Sequence, residues 1–237
     1  MDAHALKLRL LDVAGARYRS SGRYTYHFAR GKLSRDPVFT TILALGLIPD
    51  GARILDLGCG QGVLAAWLLA AEELRGIGAW CPDWAPAPVG WRFRGCDLML
   101  RDVERARRAC GERAMVELGD VRSVEFGPSD AIVIFDVLHY MAPDAQEAVL
   151  RRVRASLSPG GVLLLRVGDA AGGLPFNFSC WVDQIKLLVR DRGWVKLHCR
   201  ALSGWLEMLQ WLGFRTKAIP MSANTPFANV LLVAHPR

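Results

Sequence analysis

Asp56-Leu57-Gly58-Cys59-Gly60-Gln61-Gly62 has the residue types and spacing of a ligand cradle. Glycines at every second position let the backbone approach a bound molecule with no Cβ in between, and they supply positive φ where the turn needs it. Before them, the run Arg53-Ile54-Leu55-Asp56 reads as a buried strand ending at a carboxylate. Behind them the apolar periodicity predicts a helix over 63–74, whose free N–H groups and positive dipole end face the turn. A polar or nucleotide-like ligand suits such a unit. A dinucleotide fingerprint would read G-x-G-x-x-G, and the position it needs as glycine is Val63 here, which argues against NAD. Two further clusters carry chemistry: Asp136, His139 and Tyr140 follow one apolar run, and Tyr26, His27, Arg30 and Lys32 precede the first strand. A histidine titrates near pH ~6.5, so His139 and His27 are candidate general bases, with Tyr140 a candidate positioner. A packed or capping histidine is the alternative at His139, and aromatic packing with surface bases is the alternative around His27.

The string ILDLGCGQG resembles the first motif of the class I S-adenosylmethionine (SAM) dependent methyltransferases, in which hydrophobic residues lead to Asp or Glu-x-Gly-x-Gly-x-Gly. The resemblance implies an α/β fold: a Rossmann-like, doubly wound, mostly parallel seven-stranded sheet with an antiparallel C-terminal hairpin. It also implies an N-terminal helical lid and a cap inserted after the fifth strand. SAM would be the cofactor and S-adenosylhomocysteine the product, with Asp56, Gly58, Cys59, Gly60 and Gly62 around the methionine moiety and Arg30 or Lys32 on its carboxylate. In the family an acidic residue ending the second strand binds both ribose hydroxyls, because a carboxylate accepts two hydrogen bonds at once. Asp97, followed by Leu98, fits that role, and Asp83 is the rival if 74–80 is the true second strand. Asp120 would accept from the adenine amino group while the N–H of Val121 meets the ring. Asp136 stands at the strand edge where open α/β sheets bind ligands, and His139 falls beside the expected methyl group.

These residues need elements to hold them. Residues 4–48 read as two helical pieces, the second opened by Pro37 over 38–47, with an aromatic and basic connector, Tyr24 to Leu33, between them. Prolines 82, 86 and 88 exclude regular structure from 76–91, which reads as an inserted loop. A second strand over 91–97, a helix over 102–110 and a short third strand before Gly119-Asp120 follow. The continuous apolar run 130–137 suits a parallel strand covered on both faces. After it come a helix over 143–157, the turn Ser158-Pro159-Gly160-Gly161 and a fifth strand over 162–167. In 168–200 the residues Trp181, Ile185, Leu188 and Val189 recur as one helical face, flanked by Phe176, Phe178 and Trp194. A helix over 202–212 and strands over 214–219 and 228–234 close the chain.

With 237 residues, 51% of them apolar and 22% charged, the chain suits one globular domain: a lid over 1–50, a SAM-binding core over 51–168, a cap over 169–200 and a closing helix and hairpin over 201–237. No stretch approaches the ~18 uninterrupted apolar residues of a membrane span, and the N-terminus lacks the pattern of a signal peptide. Six scattered cysteines without a C-x-x-C pair favour reduced thiols in a cytoplasm and argue against a metal site. The formal charge of +7 suits an acidic partner. The clusters Arg101, Arg105, Arg108 and Arg151, Arg152, Arg154, however, recur at the spacing of solvated helix faces, which argues against nucleic acid.

No N-P-P-Y stands at the fourth strand and no Pro-Cys pair occurs. Asp136-Val137-Leu138-His139 resembles small-molecule methyltransferases instead, and aromatic residues in lid and cap favour a partly apolar acceptor. The string YHFARGKLSRDPVF resembles bacterial methyltransferases of lipid or pigment pathways. O-methylation of a small metabolite such as an acid, phenol or polyketide, by a monomer or homodimer, is the expectation. The alternatives are an RNA or tRNA methyltransferase and a non-catalytic SAM-binding protein.

Overall fold

The computed structural model describes residues 1–169, 197–222 and 228–237. The chain divides into two compact units, Met1–Ile132 and Val133–Arg237.

The first unit opens with three helices rather than two. Helix α1 (Ala3–Ala16) is capped by Asp2, whose carboxylate accepts from the Ala5 N–H at 2.8 Å, and it buries Leu6, Leu10, Leu11 and Ala14. The segment expected as a connector is helix α2 (Arg23–Arg35). Its buried stripe is only Thr25, Ala29 and Leu33. Four-residue spacing puts these three on one face, yet two of them are too small to mark an apolar period against the surrounding aromatic and basic side chains. Pro37 does open the next helix, α3 (Pro37–Ala44), with the Asp36 carboxylate accepting from the Val38 N–H at 3.2 Å.

Strand β1 (Arg53–Leu57) leads into helix α4 (Val63–Gly76), which buries ten side chains or small residues between Val63 and Leu74. Trp67 is fully buried there and donates through Nε1 to the Phe39 carbonyl at 2.9 Å, tying α3 to α4. Residues 77–91 form no regular element, as their prolines require. They are held by main-chain and side-chain bonds, including Gly51 N–H to Val89 C=O at 2.8 Å and Trp80 Nε1 to Ala85 C=O at 3.0 Å. Strand β2 (Arg92–Asp97), helix α5 (Leu100–Cys110) and strand β3 (Ala114–Leu118) complete the unit. Both pairings are parallel, with Asp56 opposite Gly95 and Gly95 opposite Val116.

Strand β4 (Ser129–Phe135) contains the point of division. The second unit continues with helix α6 (Pro143–Ser156), strand β5 (Leu157–Gly168), helix α7 (Leu202–Trp211), strand β6 (Phe214–Pro220) and strand β7 (Asn229–Pro236). β5 starts at Leu157, so the Pro-Gly-Gly expected as a turn is drawn into its first residues, with Gly160 at φ +78°. β7 pairs antiparallel with both β5 and β6, Leu165 opposite Leu232 and Thr216 opposite Ala234. Across the sheet the order is β3-β2-β1-β4-β5-β7-β6: an α/β fold on a seven-stranded mixed sheet, as expected.

The basic helix faces carry local acidic partners. Arg105 pairs with Asp102 at 3.2 Å, Arg108 with Glu104 at 3.5 Å and Arg151 with Glu147 at 2.8 Å. Among the described residues no helix is long and apolar enough to cross a membrane. The helical face expected at Trp181, Ile185, Leu188 and Val189, with Phe176, Phe178 and Trp194, lies outside the described residues.

Candidate functional site

After Leu57 the chain turns back under the hold of β2. The N–H groups of Gly58 and Cys59 both donate to the Cys96 carbonyl, at 2.9 and 3.0 Å, and the Gly62 N–H closes on the Cys59 carbonyl at 3.0 Å. Gly58, Gly60 and Gly62 sit at φ +82°, +55° and +71°, the left-handed region that a Cβ penalises. The last two differ in what a side chain would meet. A Cβ on Gly62 would lie 3.0 Å from the Ala106 Cβ, so this glycine brings α4 and α5 together. A Cβ on Gly60 would meet nothing within 4 Å, so the space in front of it is open to a ligand. Gly95, in β2, has no room either: a Cβ there would sit 2.9 Å from the Cys59 sulfur.

Asp97 ends β2 and is tied to this turn. One carboxylate oxygen accepts from the Gly60 N–H and the other from the Met99 N–H, each at 2.9 Å. The rival, Asp83, is exposed in the 77–91 loop, and because α4 runs to Gly76 there is no strand over 74–80 for it to end. Leu98 is 45% exposed beside Asp97, whereas Val121 is buried. Asp120 turns the chain after β3: its carbonyl accepts from the Ser123 and Val124 N–H groups at 2.9 and 2.8 Å. Its carboxylate accepts from the Arg122 N–H at 2.8 Å and pairs with the Arg122 guanidinium at 2.5 Å.

Asp56 is 4% exposed at the end of β1. Burial, reinforced by the Asp97 charge and opposed by Lys32, pushes its carboxyl up to about 7. Below pH ~4 the group is protonated in both the folded and the unfolded chain. From there to about 7 the unfolded chain loses its proton while the folded chain keeps it, so stability falls as pH rises and then levels off. The expected result is a wild-type unfolding free energy that declines across this window relative to Asp56→Asn, which does not titrate. Urea titrations at steps from pH 4 to 8 read it, and a difference independent of pH would contradict the assignment. The neighbouring thiols are not nucleophiles at neutral pH. Burial raises Cys59 well above its usual range and holds Cys96 and Cys110 at about 12.

The N-terminal candidates separate. Lys32, half-buried on α2, is the cation that Asp56 feels. Arg30 on the same helix donates to the Leu11 carbonyl at 3.1 Å and pairs with Asp12 at 2.7 Å, both on α1. His27 is exposed, its ring 5.2 Å from that of Tyr26.

In the second unit Asp136 follows β4 with φ +57°, the one non-glycine residue at positive φ among those described, a conformation Asp tolerates better than most residues. It accepts bidentately from Arg166 on β5, through Nε at 2.8 Å and through Nη2. Arg166 is 3% exposed and also lies over the Phe135 ring. The sequence reading missed this residue, although a single arginine inside the apolar run Val162 to Val167 was a visible signal. His139 and Tyr140 are half-buried in a short turn, ring centroids 4.1 Å apart. A small cleft is lined by Leu138, His139, Arg166, Cys199 and Trp205 among others. Gln146, fully buried on α6, clasps this region. Its Nε2 reaches the carbonyls of Leu138, Met141 and His198 at 3.1, 3.1 and 2.7 Å, and its Oε1 accepts from Arg200 at 2.7 Å. The His198 N–H also donates to the His139 carbonyl at 2.8 Å. Nothing in the sequence pattern marks Gln146. Among the described residues no group of His, Cys, Asp and Glu could hold a metal ion.

The carboxy-S-adenosyl-L-methionine synthase of Chromohalobacter salexigens is 35% identical over 131 residues, 51% of this chain and 43% of that protein. A synthase of the same name from Geobacter is 27% identical over 124 residues, 52% of this chain and 48% of that protein. The chain therefore spans about half the length of the curated relatives it matches. Among solved structures, the magnesium protoporphyrin IX methyltransferase of Synechocystis with bound S-adenosylhomocysteine superposes with a TM-score of 0.59 at 16% identity, covering 94% of each chain. An O-methyltransferase family 2 protein of Planctomyces limnophilus in complex with apigenin gives 0.61 at 18% identity, covering 88% of this chain and 59% of that one. The family described as "Methyltransferase domain" matches residues 27–219. The chain belongs to that methyltransferase family and shares its fold with these solved methyltransferases.

Proposed function

We propose that the chain transfers the methyl group of SAM to an oxygen of a small, partly apolar acceptor, an acid, phenol or polyketide-like compound of lipid or pigment-type metabolism. The observation that carries this reading is the left-handed glycine turn bonded through Gly60 to the carboxylate of Asp97. In this reading Asp97 receives the ribose hydroxyls, with Leu98 and Val121 beside the adenine and Asp120 at its amino group. Asp56 faces the methionine ammonium and Lys32 its carboxylate. The sulfonium supplies an activated methyl, so the protein chiefly aligns donor and acceptor. A base is needed only when the acceptor oxygen carries a proton. His139 is that base, oriented by the adjoining Tyr140 ring and by the loop that Gln146 clasps, with Asp136 held by Arg166. His27, exposed on α2, is the second candidate.

The test is a transfer assay over a metabolite panel with SAM. For the acceptor so found, His139→Ala is expected to lower kcat about a hundredfold or more, with the Kd for SAM within about threefold. Unchanged turnover at saturating SAM would remove His139 from the chemistry.

The relatives named carboxy-S-adenosyl-L-methionine synthases favour a second reading, in which SAM is the substrate that is altered and not the methyl donor. Mass spectrometry of the products separates the two. S-adenosylhomocysteine together with a methylated acceptor supports the first, and a sulfonium product carrying an added carboxyl group supports the second.

A further inference from the structure

Tyr18 lies at the bend between α1 and α2 with none of its surface exposed, and methyl transfer as described gives it no part. Its hydroxyl donates to the main-chain carbonyl of Gln61, inside the glycine turn, at 2.9 Å. Burial pushes the phenol well above its ordinary range, so the group stays protonated and remains a donor at any working pH. Gln61 is itself 4% exposed. Its Nε2 donates to Asp102 on α5 at 3.1 Å, Asp102 accepts from Arg105 at 3.2 Å, and the Arg105 guanidinium lies 5.8 Å from the ring centroid of Tyr24 on α2. One chain of polar contacts thus joins the N-terminal helices, the turn and α5.

The other side of the turn is held by β2. Gly58 and Cys59 donate to the Cys96 carbonyl and Gly60 donates to Asp97. A ribose taken up by Asp97 would share that carboxylate with the Gly60 N–H, so this hold is divided when a ligand is present. The Tyr18 bond involves no atom a ligand would need. Without the phenol hydroxyl the Gln61 carbonyl would be buried beside three left-handed glycines with its side-chain donor lost, and an unsatisfied buried carbonyl is costly. The turn would be free to relax away from its ligand-ready shape.

We propose that Tyr18 is a positioning residue for SAM, holding the Gly58–Gly62 turn in place from the N-terminal helices. This rests on the reading of that turn as the SAM site. It further requires that the α1–α2 bend stay where it is as SAM binds and leaves.

The experiment is calorimetric titration of the full chain with SAM, for wild type, Tyr18→Phe and Glu73→Gln, well below each unfolding midpoint. Tyr18→Phe is expected to weaken SAM about tenfold, the equivalent of ~1.4 kcal/mol. Glu73→Gln removes the 3.3 Å ion pair between Arg17, at the end of α1, and α4 without touching the turn, so its Kd is expected within twofold of wild type even where its midpoint falls. A folded Tyr18→Phe that binds SAM within twofold of wild type would overturn the proposal, and so would an equal loss in Glu73→Gln, which would mark the effect as general loosening. Absence of SAM binding by the wild type would instead defeat the reading of the turn, and the role of Tyr18 with it. If Tyr18→Phe does not fold, NMR of the wild type decides. The Tyr18 hydroxyl proton should exchange slowly both free and saturated with SAM, and rapid exchange in the bound state would overturn the proposal.

Discussion

Gly60→Val is expected to abolish SAM binding, raising Kd by more than about a hundredfold, in a chain that still folds. At φ +55° a β-branched side chain is strained whatever surrounds it, at a cost on the order of 1–3 kcal/mol. The strain is local, because a Cβ at this position would meet no neighbouring atom within 4 Å. The same open space is where a ligand would approach, so the valine takes the volume that SAM needs. Gly62→Val is the useful contrast. There the Cβ would press on Ala106 at 3.0 Å, and the damage should appear as lost stability between α4 and α5 as well as lost binding. Calorimetry with SAM, paired with urea unfolding of the same samples, reads both quantities. Wild-type affinity in a folded Gly60→Val protein would sink the assignment of this turn to the cofactor.

Asp97→Ala is the second large effect, a loss of SAM affinity of about a hundredfold. The carboxylate is asked for two things at once. It satisfies the Gly60 and Met99 N–H groups, and in the proposed complex it accepts from the ribose hydroxyls. Hydrogen bonds to a charged group contribute about 1.5–3 kcal/mol each, so two lost to the ligand account for the expected magnitude before any loosening of the turn. Asp97→Asn keeps one oxygen of similar shape and should fall between, near tenfold. The pattern across ligands tests the role. SAM, S-adenosylhomocysteine and 5′-methylthioadenosine share the ribose and should weaken alike, whereas a role confined to the methionine end would spare the last of the three.

Several parts of this protein were legible because they are written in neighbouring residues. A strand, alternating glycines and an apolar helix occupy 53–76 with no interruption, and all three glycines adopt the positive φ that glycine makes available to such a turn. The preference for Asp97 over Asp83 rested on Gly95-x-Asp97 followed by a basic helix, which matches the family's pattern, and β2 does end at Asp97. The antiparallel hairpin at the C-terminus was readable from two strands joined by a tight link, as the family resemblance implied. Helix α2 was not legible, because its buried face is carried by Thr25, Ala29 and Leu33, too little apolar area to set a period.

What the chain could not announce are the bonds between distant positions. Asp136 and Arg166 stand 30 residues apart, Tyr18 and Gln61 stand 43 apart, and Gln146 reaches His198 across 52. Each depends on which strands lie side by side and which helix packs on which turn. Inside the fold such a polar group must find a partner or pay a desolvation penalty, and the partner it finds is fixed by packing. The sequence by itself therefore determined most of the elements, the glycine turn and the carboxylate that closes it, since backbone conformation and apolar period are set over a few residues. Tertiary structure alone decided how the turn is held, how Asp136 is paired with Arg166 and how Gln146 clasps the loop of His139, because those depend on burial and on contacts between segments that only the folded chain brings together.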